Sequence, residues 1–162
     1  MDTKKRIVGT VLGMGLVAVA PASAGADVHP VEASSSSTVV ANALPRAGVI
    51  QTVGDYVHVS RYNGIYYASA HGCWKKYSGP GTTARVTVWL QKRVGNGWVT
   101  RSKQAKTIKQ GCGSVARTNA KANCGGIVAK TTWRTMVDVD IIGVADSPEV
   151  LITKSQTLWC NQ

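Results

Sequence analysis

Hydrophobic and polar residues alternate along two long stretches of this chain. The stretch ARVTVWLQKRV, residues 84–94, collects its apolar side chains on a single face, namely Val86, Val88, Leu90 and Val94. Trp89 falls on the opposite face, together with basic and other polar side chains. The stretch TTWRTMVDVDIIGV, residues 131–144, likewise collects Trp133, Val137, Val139 and Ile141 on one face. A period of two with one polar face predicts β-strands that each cover a core on one side.

Turn-forming residues separate these stretches from further short strands. Gly95-Asn96-Gly97 follows the first stretch, and its Asn-Gly pair predicts a tight hairpin, because such turns need positive φ angles. Further strands are predicted in DYVHVSR, IYYASAHGCW, WVTRSKQ, SVARTNAKANC and VLITKSQTLWC. The alanines of SVARTNAKANC also suit a helix, but the glycines that follow slightly favour a strand. Seven short strands predict an all-β fold, a single antiparallel β-sandwich of immunoglobulin-like architecture.

The N-terminus has the three parts of an export signal. Lys4–Arg6 is basic, Ile7–Ala20 is apolar, and small residues suited to signal peptidase follow. Residues 1–24 are therefore a predicted signal peptide, with cleavage before Gly25, or before Asp27 as the alternative. The apolar run is short for a membrane span, and no longer one follows. We expect a secreted, extracellular protein that does not span the membrane.

A flexible tail is predicted at residues 25–47, ahead of a sandwich domain at 48–162. The tail is rich in Ala, Ser, Val and Pro, so it buries too little apolar surface to order on its own. Its segment STVVANALP, residues 37–45, is suited to docking on a partner protein, by strand addition or in a cleft. A mere spacer is the alternative interpretation. The predicted partner-binding residues are Thr38, Val39, Val40, Ala41, Leu44 and Arg46.

Four cysteines lie beyond the signal peptide: Cys73, Cys112, Cys124 and Cys160. Outside the cytoplasm, an even number of cysteines predicts disulfides, and four allow three pairings. Among these pairings we expect Cys112–Cys124, which closes a local loop, and Cys73–Cys160, which ties an early strand to the last one. The cysteine spacing does not suit the paired ligands of a zinc site, so no metal is expected.

The chain is strongly basic. Removing the signal peptide, with Lys4, Lys5, Arg6 and Asp2, lowers the formal net charge from +11 to +9. That charge makes a cell-wall polyanion a possible partner. The basic residues are dispersed, however, and no nucleic-acid-binding motif is present, so no specific nucleic acid is expected. A solvated, solubilising surface is the stronger interpretation.

The sequence contains no arrangement that predicts catalysis. His58 and His71 lie in predicted strands, where a lone histidine is usually structural or on the surface. Asp138 and Asp140 share a strand face at a spacing that suits a glycosidase pair or half a calcium site. Pairing with basic residues on neighbouring strands is the stronger interpretation. Trp89, on the polar face, could stack on a sugar. We expect no enzyme and no cofactor.

Three binding functions fit these features. The first is an adaptor whose tail docks a partner protein. The second is a cationic protein that binds polyanions or glycans of the cell envelope. The third is a secreted hydrolase inhibitor, in which Arg46 would enter a trypsin-like pocket, although no cysteine lies close enough to hold that segment rigid.

The chain resembles, in outline, the small adaptor subunit of the umbrella toxin particles of filamentous Gram-positive bacteria. The shared features are the signal peptide at 1–24, the tail at 25–47 and a four-cysteine β-domain that extends to Gln162. The resemblance implies that the tail joins a lectin-bearing subunit to a large toxin subunit in an assembly used in interbacterial competition. It also implies that no catalytic residue is present.

Overall fold

A computed structural model describes residues 44–145 and 147–161 of the chain. All regular secondary structure in these residues is β. The nine strands are β1 (Ile50–Gly54), β2 (His58–Tyr62), β3 (Ile65–Lys76), β4 (Thr83–Val94), β5 (Gly97–Lys109), β6 (Thr118–Asn123), β7 (Gly126–Ile141), β8 (Leu151–Ile152) and β9 (Gln156–Asn161). A search of the described residues for a helix long and apolar enough to cross a membrane found none.

The strands form two antiparallel sheets. In the first sheet, β1 and β2 pair in succession along one side of β3, and β6 pairs along its other side. In the second sheet, the order is β5-β4-β7, and β8 and β9 pair in succession along the far side of β7. The inner faces of the two sheets enclose one hydrophobic core. The predicted all-β, antiparallel, sandwich-like fold with two disulfides is confirmed.

The core is built from the alternating residues of the long strands. Val86, Val88 and Leu90 of β4 are fully buried, as their pattern predicts. The buried residues of β7 are Trp133, Thr135, Val137, Val139 and Ile141. Trp74 of β3 supplies the largest side chain of the opposing sheet. Val94 is exposed, contrary to its predicted place on the apolar face, because it lies at the hairpin end of β4.

Two hairpin turns show different turn chemistry. The predicted hairpin after β4 is present, since Val94 pairs with Gly97. Its two turn residues are Gly95 and Asn96 rather than Asn96 and Gly97, and Gly95 provides the positive φ of 57°. The Asn-Gly turn of this fold lies between β2 and β3, at Asn63 and Gly64, where φ is 48° and 79°. Both residues of that pair have positive φ, as a tight hairpin turn requires.

Several strand boundaries differ from those expected. The structure adds β1, which was not predicted, and β2 begins at His58 rather than Asp55. SVARTNAKANC is a strand, as slightly favoured, but only over Thr118–Asn123. VLITKSQTLWC is split into β8 and β9 by residues 153–155, which lie outside regular strand. WVTRSKQ continues as strand to Lys109, because it pairs with β4 along nearly its whole length.

The disulfides join different cysteines from those expected. The structure has Cys73–Cys112 and Cys124–Cys160, so the expected pairs Cys112–Cys124 and Cys73–Cys160 are wrong. Strand register explains the difference. Gly111 donates its N–H to the carbonyl of Trp74 at 2.7 Å, which brings Cys112 beside Cys73. The pairing of Gly126 with Asn161 similarly brings Cys160 to the end of β6.

Candidate functional site

Two of the six predicted partner-binding residues are described. Thr38, Val39, Val40 and Ala41 lie outside the described residues. Leu44 is 58% exposed, and Arg46 is also exposed. The apolar docking segment therefore remains a prediction, while the residues that join it to the domain are described.

The segment Pro45–Ala47 is anchored to the loop that follows β7. Ala47 donates its N–H to the carbonyl of Ala145 at 2.9 Å, and Ala145 donates its N–H to the carbonyl of Pro45 at 2.9 Å. Arg46 and Ala145 thus form a parallel bridge. Among the described residues, backbone bonding begins at Pro45, within the range expected for the tail. We call this anchored segment, Pro45–Ala47, the root of the tail.

The root borders an open cavity of about 420 Å³ with a mixed polar and apolar lining. Arg46 and Glu149 line it, together with Ile50, Thr52 and Val139.

The bridge between Arg46 and Ala145 also tests the hypothesis that Arg46 is the residue that a protease inhibitor presents to its target. The carbonyl of Pro45 and the N–H of Ala47 are both bonded to Ala145, so they are not free to pair with a protease, and this geometry does not favour inhibition.

An apolar groove of about 620 Å³ opens between β2 and β9. Its apolar wall is formed by Val57, Val59, Tyr66, Ile127, Leu158 and Trp159. Among the described strands, β2 pairs only with β3 and β9 only with β7, so two sheet edges border this β2–β9 groove. Trp159 is 53% exposed at its rim. An apolar groove along a free sheet edge suits an extended polypeptide, which can add a strand and insert alternate side chains.

The five tryptophans divide between the core and the surface. Trp74 and Trp133 are fully buried. The other three each lie beside a cation: Lys103 Nζ is 5.0 Å from the ring centre of Trp89, Arg134 Cζ is 4.3 Å from that of Trp98, and Lys130 Nζ is 4.8 Å from that of Trp159. The predicted place of Trp89 on the outer face is confirmed. Cation–π contact stabilises each pair and holds the rings at the surface.

The densest basic run, RSKQAKTIK at 101–109, lies on β5, which is an edge strand. Lysines on a long edge strand oppose pairing with another chain's edge.

The acidic pair Asp138 and Asp140 lies on β7, opposite residues of β4. Asp140 on β7 stands directly opposite Arg85 on β4, and Asp138 stands opposite Thr87. Asp140 and Arg85 are therefore cross-strand neighbours, while the pairing of their charges stays a prediction.

Asp55, His58 and His71 form a cluster that sequence reasoning missed. Nδ1 of His71 lies 2.6 Å from Oδ2 of Asp55, and Nδ1 of His58 lies 3.9 Å from the same oxygen. The two imidazole rings are stacked, with 5.4 Å between their centres. The cluster depends on an irregularity between β1 and β2: Gly54 pairs with Gly72 and His58 with Ser69, so one extra residue is accommodated at 55–57. No signal in the sequence marks this bulge.

Four surface features of the domain have chemistry suited to binding. The domain presents a rooted N-terminal segment, an apolar groove at two sheet edges, cation-bound aromatic rings, and an Asp-His-His cluster. The first three suit binding of a polypeptide or a glycan, and the cluster carries groups that ligate metals or transfer protons. Comparisons of the chain with protein-family models, with curated proteins and with solved structures found no match.

Proposed function

We propose that this protein is an exported, non-catalytic adaptor whose N-terminal segment docks on a partner protein. The observation that supports the proposal best is the root: two backbone hydrogen bonds fix Pro45–Ala47 to Ala145. A segment that joins the domain at a fixed point loses less orientational freedom on binding than one on a loose linker. Docking of the segment therefore also positions the domain relative to the partner.

The chemistry of the docking segment favours a protein partner over a polyanion. Residues 38–44, TVVANAL, carry no charge and include Val39, Val40 and Leu44. Leu44 is largely exposed at the root, so its apolar surface is free to be covered on docking. Residues 38–44 could extend at most about 25 Å from the root. That reach is sufficient for a cleft or sheet edge of a partner that lies next to the domain.

An adaptor needs a second contact surface, and the β2–β9 groove is the best candidate. It lies near Ile127 at the start of β7, whereas the root is bonded to Ala145, just beyond the end of that strand. A strand of this length spans roughly 50 Å. Partners at the root and at the groove would therefore be well separated, as bridging requires.

The partners follow from the resemblance to umbrella toxin particles. On that basis, the protein joins a lectin-bearing subunit to a large toxin subunit outside the cell, and the assembly acts in interbacterial competition. The disulfides are compatible with that location, because they persist in oxidising compartments. The docking segment would contact one of these subunits and the groove would contact the other.

The test is capture of partners from the culture fluid of the organism that encodes the chain. Immobilised mature protein is compared with a Val39→Asp/Val40→Asp variant and with a Ser34→Asp/Ser35→Asp control, which adds the same charge outside the docking segment. Because burying unpaired carboxylates in an apolar site is costly, the valine variant should lose a protein that the wild type and the control retain. Equal capture by all three would contradict the proposal.

Binding of a cell-envelope glycan or polyanion is the second candidate, and one surface favours it. Arg134 donates from Nε to the side-chain oxygen of Gln91 at 2.8 Å while its guanidinium lies over Trp98. Trp89 and Lys103 form a second pair nearby on the same sheet. Rings fixed beside cations suit stacking on a sugar and contact with its phosphates. Trp98→Ala should then weaken binding to purified cell walls, while capture of protein partners stays unchanged.

A further inference from the structure

The Asp55, His58 and His71 cluster contains three groups of the kinds that ligate transition metals. One ligand atom of each residue lies within 4.8 Å of those of the other two. Imidazole nitrogen and carboxylate oxygen together form the ligand sets of many zinc sites, including sites with three protein ligands and an open position. The side chains of His58 and Asp55 are 45% and 41% exposed, so an ion in solution can reach them.

The backbone holds Asp55 in position for such a role. Its N–H donates to the carbonyl of His71 at 3.1 Å, and its carbonyl accepts from Oγ1 of Thr135 at 3.0 Å. Oδ1 of its carboxylate accepts from the backbone N–H of His71 at 2.5 Å. The remaining oxygen, Oδ2, is the atom that faces the two imidazole rings. Bulges often direct a side chain towards a functional site in this way.

The ligand spacing is close to that of a metal site. Bonds of about 2.0–2.1 Å at tetrahedral angles place ligand atoms about 3.3 Å apart. Oδ2 of Asp55 is 2.6 Å from His71 and 3.9 Å from His58. Each of these two separations needs to change by less than about 1 Å. The separation between the ligand atoms of the two histidines is at most 4.8 Å and needs to shorten by up to about 1.5 Å. The exposed ring of His58, whose Nδ1 lies 3.3 Å from the carbonyl of Tyr56, can rotate to adjust its own separations from the other two ligands. Widening the 2.6 Å contact requires a small movement of Asp55 or His71.

A buried acceptor next to His71 is a second, independent feature. Asn119 stands directly opposite His71 on β6, and its Oδ1 is buried with no hydrogen-bond partner among the described residues. Ligating His71 through Nδ1 would place the ring proton on Nε2, and metal-bound histidines usually donate that proton to an acceptor. An unused acceptor on the neighbouring strand suits this tautomer.

The basic charge of the domain does not close the site to cations. On the same face of the sheet, Lys121 stands opposite Ser69, two residues from His71. Its ammonium lies 5.8 Å from the ring centre of Tyr62, at the hairpin end of β2. The carboxylate of Asp55 supplies the negative charge within the cluster itself.

From these observations we propose that Asp55, His58 and His71 bind one divalent transition-metal ion, with Zn²⁺ as the best match. The ion would have three protein ligands, and water would complete its coordination. It would join the bulge at 55–57 to β3 more firmly than the hydrogen bond between Asp55 and His71 does alone. This site does not involve the N-terminal segment, so its test is separate from the test of tail docking. His58 also lines the β2–β9 groove.

The direct experiment is calorimetric titration of the chelator-treated mature protein with ZnCl₂ at neutral pH. We expect one ion per chain and a melting temperature that rises with zinc. His58→Gln is the primary variant, because that side chain is exposed and its loss should leave the fold intact. It should weaken zinc binding at least about tenfold, whereas His29→Gln, the matched histidine in the tail, should not.

A second readout locates the ion without altering a ligand. Nitrogen-15 NMR of the imidazole rings should show zinc-dependent shifts for His58 and His71 and none for His29. The proposal is overturned if the wild type binds no zinc, if His58→Gln binds zinc as tightly as the wild type, or if His29 carries the shift, which would indicate adventitious binding only.

Discussion

Thr135 in β7 donates a hydrogen bond from its buried hydroxyl to the backbone carbonyl of Asp55, 3.0 Å away and 80 residues earlier in the chain. The bond joins the two sheets at the bulge between β1 and β2. It satisfies a carbonyl that the bulge removes from regular strand pairing. The same bulge directs the carboxylate of Asp55 at His71, so this bond supports the only Asp-His-His cluster in the described part of the chain.

Replacing Thr135 with valine should destabilise the domain, because it removes the donor and leaves the carbonyl of Asp55 without it. The free energy of unfolding should fall by about 1–3 kcal/mol. Chemical denaturation followed by tryptophan fluorescence measures this change. Thr132→Val is the matched control, since the hydroxyl of Thr132 bonds that of Thr157 at the surface, and its effect should stay within about 0.5 kcal/mol. Equal effects of the two variants would show that the Asp55 bond has no special structural role.

The disulfides make a prediction that mass spectrometry can decide. Non-reducing peptide mapping of the purified native protein should give Cys73–Cys112 and Cys124–Cys160, with no free thiol. The pairs enclose loops with sequence separations of 39 and 36 residues. Closing loops of that length restricts the unfolded chain and corresponds to about 4 kcal/mol for each bond. A Cys112–Cys124 linkage, or free thiols in the native protein, would contradict the strand register described above.

Two truncations of the mature chain should behave differently. Deleting residues 25–43 should change the free energy of unfolding by less than about 0.5 kcal/mol, since it leaves the root intact. Deleting residues 25–47 removes the bonds to Ala145 and the partly buried Ala47, and should lower that free energy by about 1–3 kcal/mol. Thermal melts of the two proteins provide the comparison. If the shorter deletion is the destabilising one, residues before the root belong to the folded domain.

The sequence predicted the strands in which one face is buried in the core and the other face is exposed to solvent. Val86, Val88 and Leu90 show this, because burial on one side enforces a period of two. β1 escaped prediction because IQTVG is short and has no clear alternation. The extent of β5 was underestimated because most of its residues are exposed, so its length depends on pairing with β4 rather than on its own pattern.

Features that depend on strand register could not be predicted from one sequence. Cys73 meets Cys112 only because the chain after β5 returns to bond with Trp74. Asp55 meets His71 only because one extra residue is accommodated between β1 and β2. Neither the composition nor the periodicity of the sequence predicts these two contacts. The root at Pro45 was missed for a similar reason, since its partner Ala145 lies a hundred residues away in the sequence.

The salt dependence of partner binding tests the central claim most directly. Partner retention on the immobilised mature protein is measured as sodium chloride is raised from roughly 0.1 M to roughly 0.5 M, a range over which exposed charge interactions are increasingly screened. Docking through the uncharged segment 38–44 predicts that a protein partner remains bound throughout. Loss of the partner as salt rises, with steep dependence on its concentration, would contradict the adaptor proposal and favour binding of a polyanion by the basic surface.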